Sequence, residues 1–201
     1  MKTLKFADRE EWLKARLGKI TGTRLGAIVV KRGTARKIGF YELIAERLAT
    51  PPDGEDPMAR GLRLQDEALD RFEEAAKKKV NRSLRLWARE DNPAIALSPD
   101  GTIGQTEAVE VKCLSSARHL EALIERKIPA EYVYQTLQYF VVRDTLKTLH
   151  VVFYDPRIPS ADYFELTLKR EELAEKIEET LEYERRTIQE VEEIVKKISK
   201  F

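Results

Sequence analysis

The sequence predicts a mixed α/β fold in which a mixed central β-sheet is flanked by helices and followed by one long C-terminal helix. Three features predict it. Between Met58 and Lys79 the apolar residues Leu62, Leu64, Ala68, Leu69, Phe72 and Ala76 recur at helical spacing, and after Val80 the period drops to two. Residues 169–201 then return to a helical period. A length of 201 residues favours a single domain, 1–201, with a helical N-terminal part (1–80), a part of strands and helices (81–168) and the C-terminal helix (169–201).

Along the chain, Asp8 and Glu11 form a capping box ahead of Trp12, opening an amphipathic helix that stops at Gly18. Gly22-Thr23 starts a short apolar helix from Leu25 to Val30, Lys31 to Thr34 is a loop, and the next helix covers about Ile38–Ala49. Thr50–Pro57 holds three Pro, two Asp, one Glu and one Gly, the composition of a loop. The long helix follows, ending near Lys79. Leu84, Leu86 and Ala88 then alternate with Arg85, Trp87 and Arg89 as a strand requires. Ala94–Ser98 continues that pattern, Pro99-Asp100-Gly101 breaks it, and Ala108–Cys113 is another strand. Helices are expected over Ser116–Lys127 and Glu131–Arg143, and strands at Thr148–Tyr154 and Tyr163–Leu168. The last helix carries Leu173, Ile177, Leu181, Ile188, Val191, Val195 and Ile198 on one face.

Apolar residues make up 42% of the chain, enough for a core and too many for a wholly disordered protein. No run approaches the roughly 18 apolar residues of a membrane span, and Met1–Glu10 has no apolar signal-peptide core. A soluble, cytoplasmic protein is expected. The only cysteine, Cys113, excludes a disulfide framework and any four-cysteine metal site, and reads as a core side chain. His119 and His150 read as surface or strand-packing residues, and Trp12 as a core side chain. The 36 Lys+Arg and 35 Asp+Glu leave a net charge of +1, which argues against a polyanionic partner. That balance hides a gradient: residues 1–80 carry 18 basic and 13 acidic side chains (+5), residues 81–160 carry 10 of each, and residues 161–201 carry 8 and 12 (−4). Fluctuation of a Lys/Glu-rich surface produces such a gradient too.

The chemistry concentrates in Ser98-Pro99-Asp100-Gly101 and, nine residues on, Glu110-Val111-Lys112. On a strand, Glu110 and Lys112 share a face. A hairpin can bring Asp100 beside Glu110. Two carboxylates with the backbone carbonyl of Val111 are hard oxygen donors suited to Mg²⁺. A lysine beside them can orient water for attack on a phosphodiester. The pattern is therefore a nuclease layout, the plain alternative being an ordinary hairpin with an exposed Glu/Lys pair. Arg16 precedes the helix start Thr21-Gly22-Thr23, whose free N–H groups suit an anion such as a terminal 5′-phosphate. A surface arginine beside an ordinary threonine cap reads the same residues. The Lys77-Lys78-Lys79 run with Arg82 and Arg85 can track a nucleic-acid backbone, or is simply solvated.

Pro99-Asp100 with Glu110-Val111-Lys112 resembles the signature of the PD-(D/E)xK nuclease superfamily. The stretch from Trp12 to Thr23, Gly61 to Ala68, Ser98 to Gly101, Glu110 to Cys113, Gln135, and Tyr154-Asp155-Pro156-Arg157 together resemble, in order, the phage lambda exonuclease and YqaJ-type recombinase nucleases. The resemblance spans about Trp12 to Arg157. It implies a restriction-endonuclease-like core and a Mg²⁺-dependent exonuclease, with Mn²⁺ a possible substitute, working 5′→3′ on double-stranded DNA ends in recombination or repair. It implies Asp100 and Glu110 as metal ligands, Lys112 as the catalytic lysine, and a 5′-phosphate site at Arg16, Thr21, Gly22 and Thr23. Gln135 and Tyr139 match a Gln-x-x-x-Tyr motif shared with RecB-type nucleases, and on a helix both fall on one face; the match implies Gln135 as a catalytic residue and Tyr139 among the DNA-contacting residues. A buried polar–aromatic pair accounts for Tyr139 equally well. A homotrimer and a single-strand annealing partner are implied as well.

One departure stands out. Family members place a carboxylate four residues after the glycine of the long helix, and here that position is Gln65. Asp66 and Glu67 point about 100° and 200° away on a helix. An amide oxygen is a weaker ligand than a carboxylate, so Gln65 is a doubtful metal ligand. Three competing functions follow: an endonuclease, a RecB-like nuclease of other polarity, and a catalytically weak DNA-binding protein on a nuclease fold.

Overall fold

The structure, a computed structural model, describes residues 37–48 and 57–198. The elements expected between Asp8 and Thr34, and most of the Thr50–Pro57 loop, lie outside the described residues. The described chain forms helix α1 (Ile38–Leu48), helix α2 (Pro57–Ala76), strands β1 (Trp87–Ala88), β2 (Ala96–Leu97), β3 (Gly101–Ile103) and β4 (Glu107–Lys112), and helix α3 (Ser116–Glu125). A 3-10 turn at Ala130–Tyr132 leads into helix α4 (Val133–Val142). Strands β5 (Thr148–Tyr154) and β6 (Tyr163–Lys169), a 3-10 turn (Arg170–Glu172) and helix α5 (Ala174–Ile198) follow. The principal sheet is mixed, with strand order β3-β4-β5-β6, and β1 and β2 pair separately. Among the described residues, no helix is long and apolar enough to cross a membrane.

Contacts divide the chain into two compact units. The first joins α1 and the start of α2 to residues 113–127 and 153–164. Here Ala45, Leu120 and Ile158 form an apolar cluster. Tyr41 donates its hydroxyl to Glu125 at 2.5 Å, tying α1 to α3. The fully buried Asp155 carboxylate accepts from Arg60 at 2.7 Å, Arg157 at 2.9 Å and Ser116 at 2.5 Å. Burial works to raise its pKa, but the Arg157 and Ser116 donors outweigh burial and hold it below the ordinary value. The Tyr154-Asp155-Pro156-Arg157 motif is thus an internal charge hub. His119 packs edge-on to Phe164 and meets the Ala161 carbonyl at 2.8 Å, a packing histidine as expected.

The second unit holds residues 65–112, 128–152 and 165–201. Ala68, Leu69 and Phe72 of α2 are fully buried, following its apolar period. The helix stops at Ala76 because Lys77 turns left-handed (φ 54°), so the expected continuation to Lys79 does not form. Gly101 opens β3 where a side chain has no room: a Cβ there would lie 2.3 Å from the Val80 side chain. β3 and β4 are antiparallel with Gly101 opposite Val109 and Thr102 opposite Ala108, a register that sets Asp100 across from Glu110.

The alternating stretch before β1 is not a long strand: only Trp87–Ala88 pairs, and Leu84 and Leu86 are exposed. Within the basic run Lys78 pairs with Glu107 (2.5 Å), Lys79 with Glu73 (3.1 Å) and Arg82 with Asp70 (2.6 Å), and the Lys79 side chain stays exposed, in keeping with the solvated reading. On α5 the apolar face is buried chiefly at Ile177, and Val191 is exposed. Cys113, expected in the core, lies just past β4 and is half-buried.

Candidate active site

In the second unit, side chains of β4 and α4 converge on Glu110. β4 alternates so that Ala108, Glu110 and Lys112 share one buried face. Burying a carboxylate and an ammonium is costly unless each is paired and hydrogen-bonded, and here they meet each other directly. Gln135 of α4 bridges them, its amide nitrogen donating to Glu110 Oε1 at 2.7 Å while its amide oxygen accepts from Lys112 Nζ at 2.7 Å. One helical turn on, the fully buried Tyr139 donates its hydroxyl to Glu110 Oε2 and accepts the Asp100 N–H at 3.4 Å. The ring of Tyr132, one turn before Gln135, lies 4.5 Å from Lys112 Nζ, a cation–π contact.

Asp100 sits at the bend before β3. Its Oδ2 accepts the Val111 N–H at 2.8 Å and its Oδ1 accepts the Gln65 amide at 3.2 Å. Burial, then the neighbouring charge of Glu110, pushes its pKa up to about 7. Burial and the two carboxylates likewise push the Tyr139 hydroxyl well above its ordinary value, keeping it a donor. The site thus gathers two crowded acids whose mutual repulsion a hard cation would relieve. The carboxylate oxygens of Asp100 and Glu110 fit such an ion, while Gln65 and Val111 meet Asp100 through N–H groups. Among the described residues, no three His, Cys, Asp or Glu side chains cluster in a way that would hold a metal, as the amide at position 65 entails.

The structure therefore brings together Gln65, Asp100, Glu110, Val111, Lys112, Gln135 and Tyr139. Tyr139, expected among DNA-contacting residues, is instead enclosed, with its hydroxyl on Glu110. Arg16, Thr21, Gly22 and Thr23 lie outside the described residues.

The model of the YqaJ-like viral recombinase domain matches residues 11–145, about two thirds of the chain. The chain belongs to this family. No curated protein sequence matches this YqaJ-like chain. Among solved structures, an alkaline exonuclease from Laribacter hongkongensis, LHK-Exo, is similar to it at 28% identity and TM-score 0.62. The same exonuclease in complex with dAMP is similar at 29% identity and TM-score 0.61. Each likeness covers 96% of this chain and 99% of the exonuclease. Sequence reading missed three aromatic or basic contributors to this YqaJ-like site. Tyr132 had a signal, since it lies three residues before Gln135. Trp87, which meets Tyr139 edge-on at 6.1 Å, and Arg143, whose guanidinium lies 4.8 Å from the Trp87 ring, had none, because only folding makes them neighbours.

Proposed function

We propose that this chain is a Mg²⁺-dependent exonuclease that digests double-stranded DNA from its 5′ ends, with Mn²⁺ able to replace Mg²⁺, in recombination or repair. The observation that carries this reading is the hydrogen-bonded cluster of Asp100, Glu110, Lys112 and Gln135 on one hairpin and one helix. Family membership and similarity to an alkaline exonuclease support it.

Hydrolysis adds water across a phosphodiester: a new P–O bond forms, the P–O3′ bond breaks, and the 3′ oxygen leaves with a proton. Asp100 and Glu110 would hold the cation, with Gln65 and the Val111 carbonyl as weaker donors. The ion, when bound, supplies Lewis acidity that stabilises negative charge on the phosphorus centre. Lys112 orients the attacking water, and Gln135 fixes the lysine through its amide oxygen while steering Glu110 through its nitrogen. Tyr139 holds the second oxygen of Glu110, so the carboxylate is fixed before substrate arrives. Arg16 with Thr21, Gly22 and Thr23 is the proposed 5′-phosphate site. Assembly as a homotrimer around duplex DNA, cooperation with a single-strand annealing protein and a cytoplasmic location are part of this reading.

Linear duplex labelled at the 5′ or 3′ end, alongside a closed circle, tests it in Mg²⁺ and in Mn²⁺. Early release of 5′ label with an untouched circle is expected. A nicked circle would make the chain an endonuclease, and early 3′ release would reverse its polarity. The carboxamide at position 65 favours a second reading, a DNA-binding protein with little catalysis, which retained binding without cleavage in either metal would establish.

A further inference from the structure

The site's two α4 residues, Gln135 and Tyr139, are only as well aimed as the helix that carries them, and α4 is just Val133–Val142. Its C-terminal carbonyls run out of helical donors once Tyr139 O accepts the Arg143 N–H at 3.2 Å. The next two are taken by arginines from distant parts of the chain. Arg170, just past β6, donates Nη2 to the carbonyls of Phe140 and, at 2.8 Å, Arg143, and Nε to that of Leu146 at 2.7 Å. Arg89, just past β1, donates Nη1 to the Val141 carbonyl at 2.5 Å.

Both arginines are themselves anchored. The Arg170 N–H bonds to Lys147 O at 2.9 Å and its guanidinium lies 5.6 Å from the Phe140 ring. The Arg89 N–H bonds to Ile95 O at 3.0 Å, and its side chain, only 10% exposed, pairs with Asp91 at 2.7 Å and Asp144 at 2.8 Å. Two cations at a helix C-terminus also match the negative end of its dipole. A planar fork suits this arrangement, since the guanidinium reaches three carbonyls from two separated nitrogens, whereas an ammonium has all its donors on one.

We propose that Arg89 and Arg170 are positioning residues: they fix α4 along its axis and so aim Gln135 and Tyr139 at Glu110 and Lys112. This rests on the catalytic reading of the site given above. Burial lowers the Arg170 pKa, consistent with a guanidinium enclosed against backbone. Tyr139 directly precedes the first capped carbonyl and Gln135 lies one turn earlier. A loosened cap therefore reaches them within two turns.

The test is a double-mutant cycle of Arg170→Lys with Gln135→Ala, reading single-turnover rate, KM and melting temperature, with amide exchange measured along α4. In the parent chain Arg170→Lys should slow hydrolysis about 10-fold while changing KM by less than about twofold, the pattern of misplaced groups rather than lost binding. On the Gln135→Ala background the same change should cost no more than about threefold, because one of the two aimed groups is already gone and only Tyr139 is left to misplace. Amides of residues 139–143 should exchange faster in Arg170→Lys, and Arg89→Met, which leaves Arg170 in place, should show the same signature if Arg170→Lys does not fold. Additive rate losses, or unchanged exchange at the end of α4, would overturn the proposal. Failure of the catalytic reading looks different: Gln135→Ala alone would leave the rate intact, while the exchange measurement still reports whether the arginines hold the helix.

Discussion

Glu110 accepts from Lys112, Gln135 and Tyr139 at once, so its two oxygens are fixed by three side chains within an enclosed pocket. Asp100 is less restrained, with one backbone donor and the Gln65 amide. Position 65 is where an added carboxylate should matter most. Gln65→Glu is expected to tighten Mn²⁺ binding about 10-fold, since a third negative ligand in a partly buried site strengthens attraction to a divalent ion. Calorimetric titration checks this, and unchanged affinity removes position 65 from the ligand set. The pairing of Asp100, Glu110 and Lys112 was legible because a strand period and a hairpin are local rules. The Trp87 and Arg143 contacts were not, because only folding brings Trp87 beside Tyr139 and Arg143 over the Trp87 ring.

At the scale of elements, a cluster away from the site ties strands together. His150 of β5 bonds Glu165 of β6 at 2.6 Å through Nδ1 and Glu107 of β4 at 2.8 Å through Nε2, and Lys78 also pairs with Glu107. Burial works to lower the His150 pKa and the Lys78 charge opposes protonation, but the hydrogen bonds to Glu165 and Glu107 outweigh them and raise it. Folding therefore strengthens proton binding. The stabilisation is complete below the ordinary histidine value of 6.5 and is lost as pH climbs through the raised one. The melting temperature should fall as pH rises above the ordinary histidine value of 6.5, and His150→Gln should flatten that fall. A parallel decline in both proteins would show that other groups set it. Sequence placed β5 at its observed bounds because an almost wholly buried strand reads as a continuous apolar run. It left His150 as mere packing because its two carboxylates come from other strands. It also overran α2, since nothing local to Lys77 announces a left-handed turn.

For the whole molecule, net charge was a poor guide. The +1 total averages a basic N-terminal portion, a balanced middle and an acidic C-terminal portion. Several of the cations that seemed available for DNA at 77–82 are engaged by carboxylates. What points to DNA is the family, and the proposed site centres on Lys112. Release of the 5′-terminal nucleotide from linear duplex in a single turnover, compared between the parent chain and Lys112→Ala at equal DNA occupancy, probes that centre most directly. A loss of about 10²–10⁴-fold with DNA affinity held within about twofold is expected. Undiminished release by Lys112→Ala would contradict it.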